Sequence, residues 1–170
     1  PAQSVVDEIT ALGGEAVANV DSVATEEGGA GIIQSALDTF GRIDIVIHNA
    51  GNVRYGALDE ISFEDFKAVT DVHLMGAFHV VRASFPHMKA QNYGRFVMTG
   101  SIGCYYGNQR CFNYAVSKSA MIGLSNVISL EGQEHNVKSN VILPGAVTRM
   151  ADGLDTSLYP PMGPELVAPV

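Results

Sequence analysis

Segments with apolar residues at helical spacing alternate along the chain with short, nearly continuous apolar runs. The segment "QSVVDEITALGG" places its apolar residues on one helical face and ends at two glycines, which predicts an opening helix. The run "RIDIVIHNAG" is typical of a strand buried on both faces of a parallel sheet. The same criteria predict further helices in "EEGGAGIIQSALDTFG" and "NYAVSKSAMIGLSNVISLEGQ", and strands in "EAVANVD", "GRFVMTGS" and "VKSNVILPG".

A capping box predicts the start of another long helix. Ser62 and Asp65 have the side chains and the spacing of such a box, and an apolar run follows them. We expect this helix to extend to about Phe85, where Pro86 kinks or ends it. The last stretch, "MADGLDTSLYPPMGPELVAPV", is interpreted as loop with at most a short helix.

The alternation of helices and strands predicts an α/β fold with a doubly wound parallel sheet. Ligands of such sheets bind outside the carboxyl ends of the strands. Polar or glycine-rich clusters follow four of the predicted strands, namely Asp21, "HNAG", "TGS" and "LPGAVTR". We therefore expect the functional site at this edge of the sheet.

Composition and charge narrow the functional classes. A chain of 170 residues with 46% hydrophobic and 16% charged residues is typical of one globular domain. The net charge of −8 argues against a nucleic-acid partner and against an anionic-membrane surface, but it allows an anionic ligand on a local basic patch. Cys104 and Cys111 are too few for a disulfide scaffold or a metal site. The sequence has no apolar run of about 18 residues, so we expect no membrane span.

The motif "YAVSK" carries the strongest candidate chemistry. Tyr114 and Lys118 are one helical turn apart and therefore share a helix face near the ligand edge of the sheet. An ammonium group nearby stabilises a phenolate, which predicts that Lys118 lowers the pKa of Tyr114 from its usual value near 10. Such a tyrosine can exchange a proton near neutral pH. The alternative is an exposed pair on a helix surface with no function.

The helix that carries this motif has almost no polar face. A helix that is apolar all round must be covered on more than one side, and the sheet covers only one. We therefore predict a homo-oligomer, a dimer or a tetramer, that forms through this helix and the long helix before it. The apolar positions are Ala115, Val116, Ala120, Met121, Ile122, Leu124, Val127, Ile128 and Leu130.

As an ordered set, the motifs resemble the short-chain dehydrogenase/reductase family from about residue 10 to 150. The set consists of "NAG" after one strand, Ser101 after the next, "YAVSK" thirteen residues later and "PG" after the following strand. The resemblance implies a Rossmann-like fold and an NAD- or NADP-dependent oxidoreductase that acts on a secondary alcohol or its ketone. Two segments, "DVHLMGAFHVVRASFPHMK" and "LEGQEHNVKSNVILPGAVTRM", look most like the (3R)-hydroxyacyl-CoA dehydrogenase domains of multifunctional β-oxidation enzymes. This implies a 3-hydroxyacyl-CoA substrate and a cytoplasmic location, or a peroxisomal one in a eukaryote.

The resemblance also implies roles for individual residues in catalysis. Tyr114 would be the general acid/base, Ser101 would hold the substrate oxygen, and Lys118 would lower the Tyr114 pKa and bind the nicotinamide ribose. His73 stands where most members have a relay asparagine, so it either joins a proton relay or is simply a packed histidine. His48, in place of the more usual asparagine before "NAG", is interpreted as a strand-end residue.

A second set of residues would bind the cofactor, again as the resemblance implies. Asn49, Ala50 and Gly51 would line the cofactor path, and Asp21 would lie beside the adenine ring. Pro144, Gly145 and Val147 would flank the nicotinamide. Arg110 and Arg149 are candidates for the anionic parts of a CoA ester, although solvated surface arginines are the more common explanation.

The sequence departs from the family in one major respect. The glycine-rich loop Gly-x-x-x-Gly-x-Gly, which holds the cofactor pyrophosphate, does not occur in it. Only family strands 3 to 6 of the order 3-2-1-4-5-6-7 are recognisable, so "EAVANVD" would be separated from the other strands by a gap of two. We therefore expect residues 1–170 to be a single, incomplete Rossmann-like domain, truncated at both ends. The alternative function is a non-catalytic remnant that packs against a complete homologue.

Overall fold

The computed structural model describes residues 2–148 and 162–168, which alternate between helices and strands. Arg149 lies outside the described residues. The main elements are α1 (Ala2–Ala11), α2 (Glu26–Phe40), β1 (Ile45–His48), α3 (Phe63–Thr70), α4 (Gly76–Gln91), β2 (Gly94–Thr99), α5 (Gly103–Tyr106), α6 (Phe112–Gly132) and β3 (Val137–Ile142). A π-helix, Asp71–Met75, joins α3 directly to α4, and short 3₁₀ turns cover Gln133–His135 and Pro164–Leu166.

The three strands form one parallel sheet in the order β1-β2-β3. The central strand, β2, places Phe96 between Val46 of β1 and Ser139 of β3. Since all strands run in the same direction, their carboxyl ends lie at one edge of the sheet. The predicted α/β class is confirmed, with an open Rossmann-like sheet.

The hydrophobic core lies on the sheet face that the longer helices cover. Helix α4 packs on β1 and β2, α6 packs on β2 and β3, and α2 packs against α4. The opposite face of β1 is open, because Ile45 and Ile47 are 55% and 64% exposed. The core cluster contains Ile33, Val46, Ala77, Val80, Val81, Met88, Phe96, Met98, Met121, Ile128 and Val137.

Local signals set the ends of the central helices. The predicted capping box is confirmed, because the Ser62 hydroxyl accepts a hydrogen bond of 3.0 Å from the Asp65 backbone N–H. Thr25 caps α2 in the same way by accepting from Gly28 N–H. Helix α2 ends at Gly41, whose φ of 72° is a conformation that favours glycine.

The predicted strand over "EAVANVD" is wrong. Residues 15–21 have no regular secondary structure, and no strand pairs with them. A strand needs a neighbour to satisfy its backbone groups, and the described residues supply none for this segment. Helix α1, which precedes it, forms as predicted but buries none of its residues.

The prediction that the long helix ends near Phe85 is also wrong, because α4 continues through Pro86 to Gln91. Met88 is fully buried in the core, and Asn92 ends the helix in a left-handed conformation. The burial of Met88 stabilises the last turns of α4 by more free energy than is lost with the backbone hydrogen bond that Pro86 removes. The π-helix between α3 and α4 interrupts the single long helix that the sequence predicts.

No helix within the described ranges 2–148 and 162–168 is long and apolar enough to cross a membrane.

Candidate active site

Three of the predicted clusters meet at the carboxyl edge of the sheet. Asn49–Gly51 follows β1, Gly100–Ser101 follows β2, and Leu143–Val147 follows β3. Helix α6 starts after the loop that leaves β2, so its first turns bring Tyr114 and Lys118 to the same edge. The sheet topology therefore assembles residues that are nearly a hundred positions apart in the sequence.

Lys118 is buried at the centre of this edge. Its side chain is 3% exposed, and its Nζ donates a hydrogen bond of 2.7 Å to the Thr99 backbone carbonyl at the end of β2. The Nζ lies 5.7 Å from the centre of the Tyr114 ring, so the predicted shared helix face is confirmed and the alternative of an exposed pair is wrong. Burial lowers the pKa of Lys118 to about 8.

Tyr114 is half-buried, and its environment raises the pKa of its phenol instead of lowering it. Burial is the largest cause, and a hydrogen bond with the Ser101 side chain opposes it. The predicted lowering by Lys118 is therefore wrong for this structure. The physical reason is that the Lys118 ammonium is directed to the Thr99 carbonyl, while the phenol loses contact with water.

Ser101 is held in place by the turn that opens α5. Its Oγ accepts a hydrogen bond of 3.2 Å from the Gly103 backbone N–H. The same side chain lies beside the Tyr114 phenol and acts to lower its pKa. The structure thus joins Ser101, Tyr114 and Lys118 in one cluster, with a hydroxyl and a phenol side by side and an ammonium behind the phenol ring.

His73 lies on the π-helix with its ring against Tyr114. The two ring centres are 5.4 Å apart in an edge-to-face arrangement, and His73 is 1% exposed. Its Nε2 lies 3.1 Å from the Asn52 backbone nitrogen and 2.8 Å from the Asn52 carbonyl oxygen, so its tautomer decides which bond forms. Burial lowers its pKa to about 4, which keeps the ring neutral at pH 7.

The other ring nitrogen of His73, Nδ1, has no hydrogen-bond partner among residues 2–148 and 162–168. Gly51 explains how the ring fits so closely, because a Cβ at this position would lie 2.5 Å from His73 Cε1. A side chain at Gly51 would therefore displace the imidazole. The sequence singled out Gly51 for the cofactor path, and the structure adds this packing requirement.

His48 has a larger structural role than a strand-end residue. It is 3% exposed, and its Nε2 lies 3.0 Å from the His73 backbone oxygen, so it ties the end of β1 to the π-helix. Burial lowers its pKa. The sequence signal is a polar residue at the end of an apolar strand run, which marks His48 as unusual but does not identify its partner, the His73 backbone oxygen.

The remaining predicted residues are not joined to this cluster. Asp21 is exposed and accepts a hydrogen bond from Asn19 within its own segment, and it does not end a strand. Val147 donates its backbone N–H to the Met162 carbonyl at 2.7 Å. Pro144 and Gly145 follow β3 at the correct edge of the sheet. Their cofactor contacts stay predictions.

The chemistry of the edge fits the ribose and nicotinamide end of a dinucleotide. An ammonium has three N–H donors, and the Thr99 bond of Lys118 uses one of them. The Thr99 hydroxyl donates to the Asn49 side chain at 3.2 Å, which links the ends of β1 and β2 beside that ammonium. No group of three or more potential metal ligands occurs in the part of the chain that the structure describes.

Comparison with known proteins identifies the family. The model of the short chain dehydrogenase family matches residues 1–157. The peroxisomal multifunctional enzyme type 2 of Drosophila melanogaster is 46% identical over 170 residues, which cover 99% of this chain and 28% of that protein. The predicted resemblance, including its branch, is confirmed.

Two solved structures have the same arrangement. A short chain dehydrogenase from Mycobacterium avium matches with a TM-score of 0.83 and 40% identity over 87% of this chain and 53% of that one. An NAD⁺-bound xylitol dehydrogenase matches with a TM-score of 0.80 and 32% identity over 85% of this chain and 56% of that one. The chain thus spans little more than half the length of these two proteins.

Proposed function

This chain belongs to the short chain dehydrogenase family, and from this premise we propose that it acts as an oxidoreductase. The reaction is the interconversion of a secondary alcohol and a ketone with NAD or NADP. The observation that carries the proposal is the cluster in which Ser101 lies beside Tyr114 and the buried Lys118 lies behind the Tyr114 ring, 5.7 Å from its centre.

Each member of the cluster has a distinct task in this proposal. Ser101 donates a hydrogen bond to the substrate oxygen and holds it beside the Tyr114 hydroxyl. Tyr114 gives a proton to that oxygen in reduction and takes it back in oxidation. Lys118 lies behind the Tyr114 ring, and the donors that its Thr99 bond leaves over hold the cofactor ribose beside the phenol.

The cofactor supplies the hydride chemistry when it is bound. Lys118 would hold a ribose hydroxyl with its remaining donors, and Asn49, Ala50 and Gly51 would border the cofactor path at the end of β1. Pro144, Gly145 and Val147 would flank the nicotinamide, and Asp21 would lie by the adenine. The xylitol dehydrogenase of similar fold has NAD⁺ bound, which supports this choice of cofactor.

We extend the proposal to a 3-hydroxyacyl-CoA as the substrate. The support is the resemblance of residues 71–89 and 130–150 to hydroxyacyl-CoA dehydrogenase domains and the 46% identity with a peroxisomal multifunctional enzyme. The name of that relative also supports a peroxisomal location in a eukaryote, with the cytoplasm as the location otherwise.

His73 takes part in proton transfer in this proposal. Its neutral ring lies against Tyr114, and its buried Nδ1 has no hydrogen-bond partner within the described residues. A neutral imidazole both donates and accepts hydrogen bonds, so the ring can pass a proton to or from the phenol side of the site.

We also propose that the protein is a homo-oligomer through α6 and the α3–α4 segment. Exposed apolar side chains on these elements support it: Phe63, Met75, Phe78, Phe112, Val116, Val127 and Leu130 are 40–80% exposed. Light scattering on the purified protein measures its mass, and a monomer at micromolar concentration would contradict this part of the proposal.

The experiment that tests the function compares Tyr114→Phe with Tyr93→Phe. Both changes remove one phenol oxygen, but the Tyr93 ring contacts Arg95 at the opposite, amino-terminal end of β2. We expect Tyr114→Phe to lower kcat by about 10²–10⁴-fold, the usual contribution of a general acid/base, and Tyr93→Phe to leave it unchanged. Oxidation of 3-hydroxyacyl-CoA is followed by the absorbance of NADH or NADPH.

Circular dichroism and cofactor fluorescence accompany the kinetics. Folded protein with normal cofactor binding and greatly reduced turnover in Tyr114→Phe supports the proposal. Equal turnover in both variants would overturn it. A wild-type protein that is folded but neither binds NADH or NADPH nor turns over substrate would favour the non-catalytic alternative.

A further inference from the structure

Asn113 is a fully buried polar residue directly before Tyr114, and neither the motif nor the proposed reaction assigns it a task. It lies in the first turn of α6 and is 0% exposed. A buried amide costs free energy unless its donors and acceptor are paired. The partners of the Asn113 side chain therefore indicate what this residue does.

The carbonyl oxygen of the Asn113 side chain binds the backbone of the proposed catalytic residue. Oδ1 accepts a hydrogen bond of 2.8 Å from the Tyr114 backbone N–H. The first N–H groups of a helix have no partner inside the helix, and Cys111 at the N-cap of α6 supplies no side-chain cap. Asn113 thus fills the role of the cap at the residue where the position of the backbone matters most.

The amide nitrogen of the same side chain reaches two other segments. Nδ2 donates to the Arg54 carbonyl at 3.1 Å and to the Asp65 carbonyl at 3.3 Å. Arg54 belongs to the loop that leaves the end of β1, and Asp65 lies in the first turn of α3. One side chain therefore connects the backbone of Tyr114 to two elements that border the site.

The loop that contains Arg54 is itself part of the site rim. It starts at Asn52, whose backbone contacts His73, and it includes Tyr55, which raises the pKa of Tyr114. The loop is joined to the start of α6 a second time, because Gly56 N–H donates to the Arg110 carbonyl at 3.0 Å. Two hydrogen bonds, one from Asn113 and one from Gly56, therefore join this loop to the start of α6.

We infer that Asn113 is a positioning residue that fixes the Tyr114 backbone relative to the loop 52–56 and the start of α3. The inference rests on the proposed function, since Tyr114 is there the group that exchanges the proton. A displacement of about 1 Å at a reacting group can cost about 100-fold in rate. Asn113 acts through Tyr114, so its loss affects kcat more than cofactor binding.

Two variants separate the two ends of the side chain. Asn113→Ala removes the acceptor and the donors together. Asn113→Asp keeps an oxygen for the Tyr114 N–H but has no N–H for the Arg54 and Asp65 carbonyls. Ser125→Ala is the matched control, because it removes a buried side-chain hydrogen bond of 2.8 Å to Ser139 from the same helix, away from the site.

The first readout is amide hydrogen exchange measured by NMR, which does not depend on activity. We expect Asn113→Ala to speed the exchange of the Tyr114 amide by at least about tenfold, the factor that corresponds to about 1.4 kcal/mol of lost protection. Asn113→Asp is expected to keep the Tyr114 amide protected. Ser125→Ala is expected to leave it unchanged.

The second readout is the separation of kcat from KM. We expect Asn113→Ala to lower kcat by about 10–100-fold with less than about a threefold change in KM for the cofactor, Asn113→Asp to fall between it and the wild type, and Ser125→Ala to match the wild type. Unchanged Tyr114 exchange in Asn113→Ala, or a kcat within about twofold of wild type, would overturn the inference.

The two readouts keep the inference and the proposed function distinguishable. If the wild type shows no turnover, the proposed function fails, while the exchange of the Tyr114 amide still decides whether Asn113 holds this backbone. If Asn113→Ala does not fold, Asn113→Asp decides: a kcat equal to that of the control overturns the inference, and a lowered kcat with intact cofactor binding supports it.

Discussion

The two faces of β1 carry similar apolar side chains in very different surroundings. Val46 points to the face that α2 and α4 cover and is 8% exposed. Ile45 and Ile47, its neighbours in the strand, point to the other face and are 55% and 64% exposed. Side chains alternate between the two faces of a strand, so β1 allows packed and unpacked apolar residues to be compared within one short segment.

Three polar groups of the candidate site belong to the packed side. Lys118, His73 and Asn113 are each at most 3% exposed, and all three lie on the helices that cover the core. Helix α1, in contrast, buries no residue. Burial changes the pKa of Lys118 and His73 and makes the Asn113 hydrogen bonds costly to lose. The protonation states and hydrogen bonds of the candidate site therefore depend on the exclusion of water from the helix-covered face of the sheet.

The same substitution on the two faces gives the sharpest test of this difference. Ile33 of α2 is 5% exposed in the core, whereas Ile47 of β1 is 64% exposed on the open face. We expect Ile33→Ala to lower the free energy of unfolding by about 2–5 kcal/mol, because it leaves a cavity. Ile47→Ala is expected to cost less than about 1 kcal/mol. Urea unfolding followed by circular dichroism measures both.

Equal losses in these two variants would break the comparison, because they would mean that the open face of β1 is covered in solution. A loss at Ile47 that grows with protein concentration would identify a second molecule as the cover. A small loss that does not depend on concentration keeps the distinction between the two faces.

The packed face is also expected to give the protein a pH-dependent stability through Lys118. Its pKa is about 8 in the folded chain, against 10.5 for an ordinary lysine. Between these values the unfolded chain binds more protons than the folded chain, so the free energy of unfolding rises with pH from 8 to 10.5. The total rise is up to about 3 kcal/mol, and below about pH 8 the full cost of burying the ammonium is present.

Lys118→Met isolates this contribution from other groups. We expect the variant to lack the rise between pH 8 and 10.5, while Lys138→Met, at an exposed position of β3, keeps it. Denaturant unfolding of the three proteins at several pH values provides the comparison. A rise that persists in Lys118→Met would show that a group other than Lys118 causes it.

Much of the local structure follows from short stretches of sequence. Ser62 with Asp65, Gly41 and the apolar spacing of α6 each specify a helix end or a helix face from neighbours within a few residues. The failures involve more distant partners. Segment 15–21 has the sequence pattern of a strand, but no described strand pairs with it. Pro86 remains inside α4 because Met88, two residues later, is buried in the core.

The candidate site shows the same division. The motif "YAVSK" and the strand-end clusters predicted Ser101, Tyr114 and Lys118, and the structure brings these residues together. It does not bring Asp21 to them. Asn113 and His48 could not be assigned from the sequence, because the partners that define their roles include backbone atoms 25 or more positions away.

The sequence by itself determined the α/β alternation, the caps, the shared face of Tyr114 and Lys118 and the family. Spacing along a helix or strand is a local property, and an ordered set of motifs can be recognised without coordinates. Only the tertiary structure decided that the Tyr114 pKa is raised, that Lys118 is buried and that the His73 ring lies against Tyr114. Hydration, pKa and hydrogen-bond partners depend on which distant segments exclude water from a group, and only the packed fold specifies those segments.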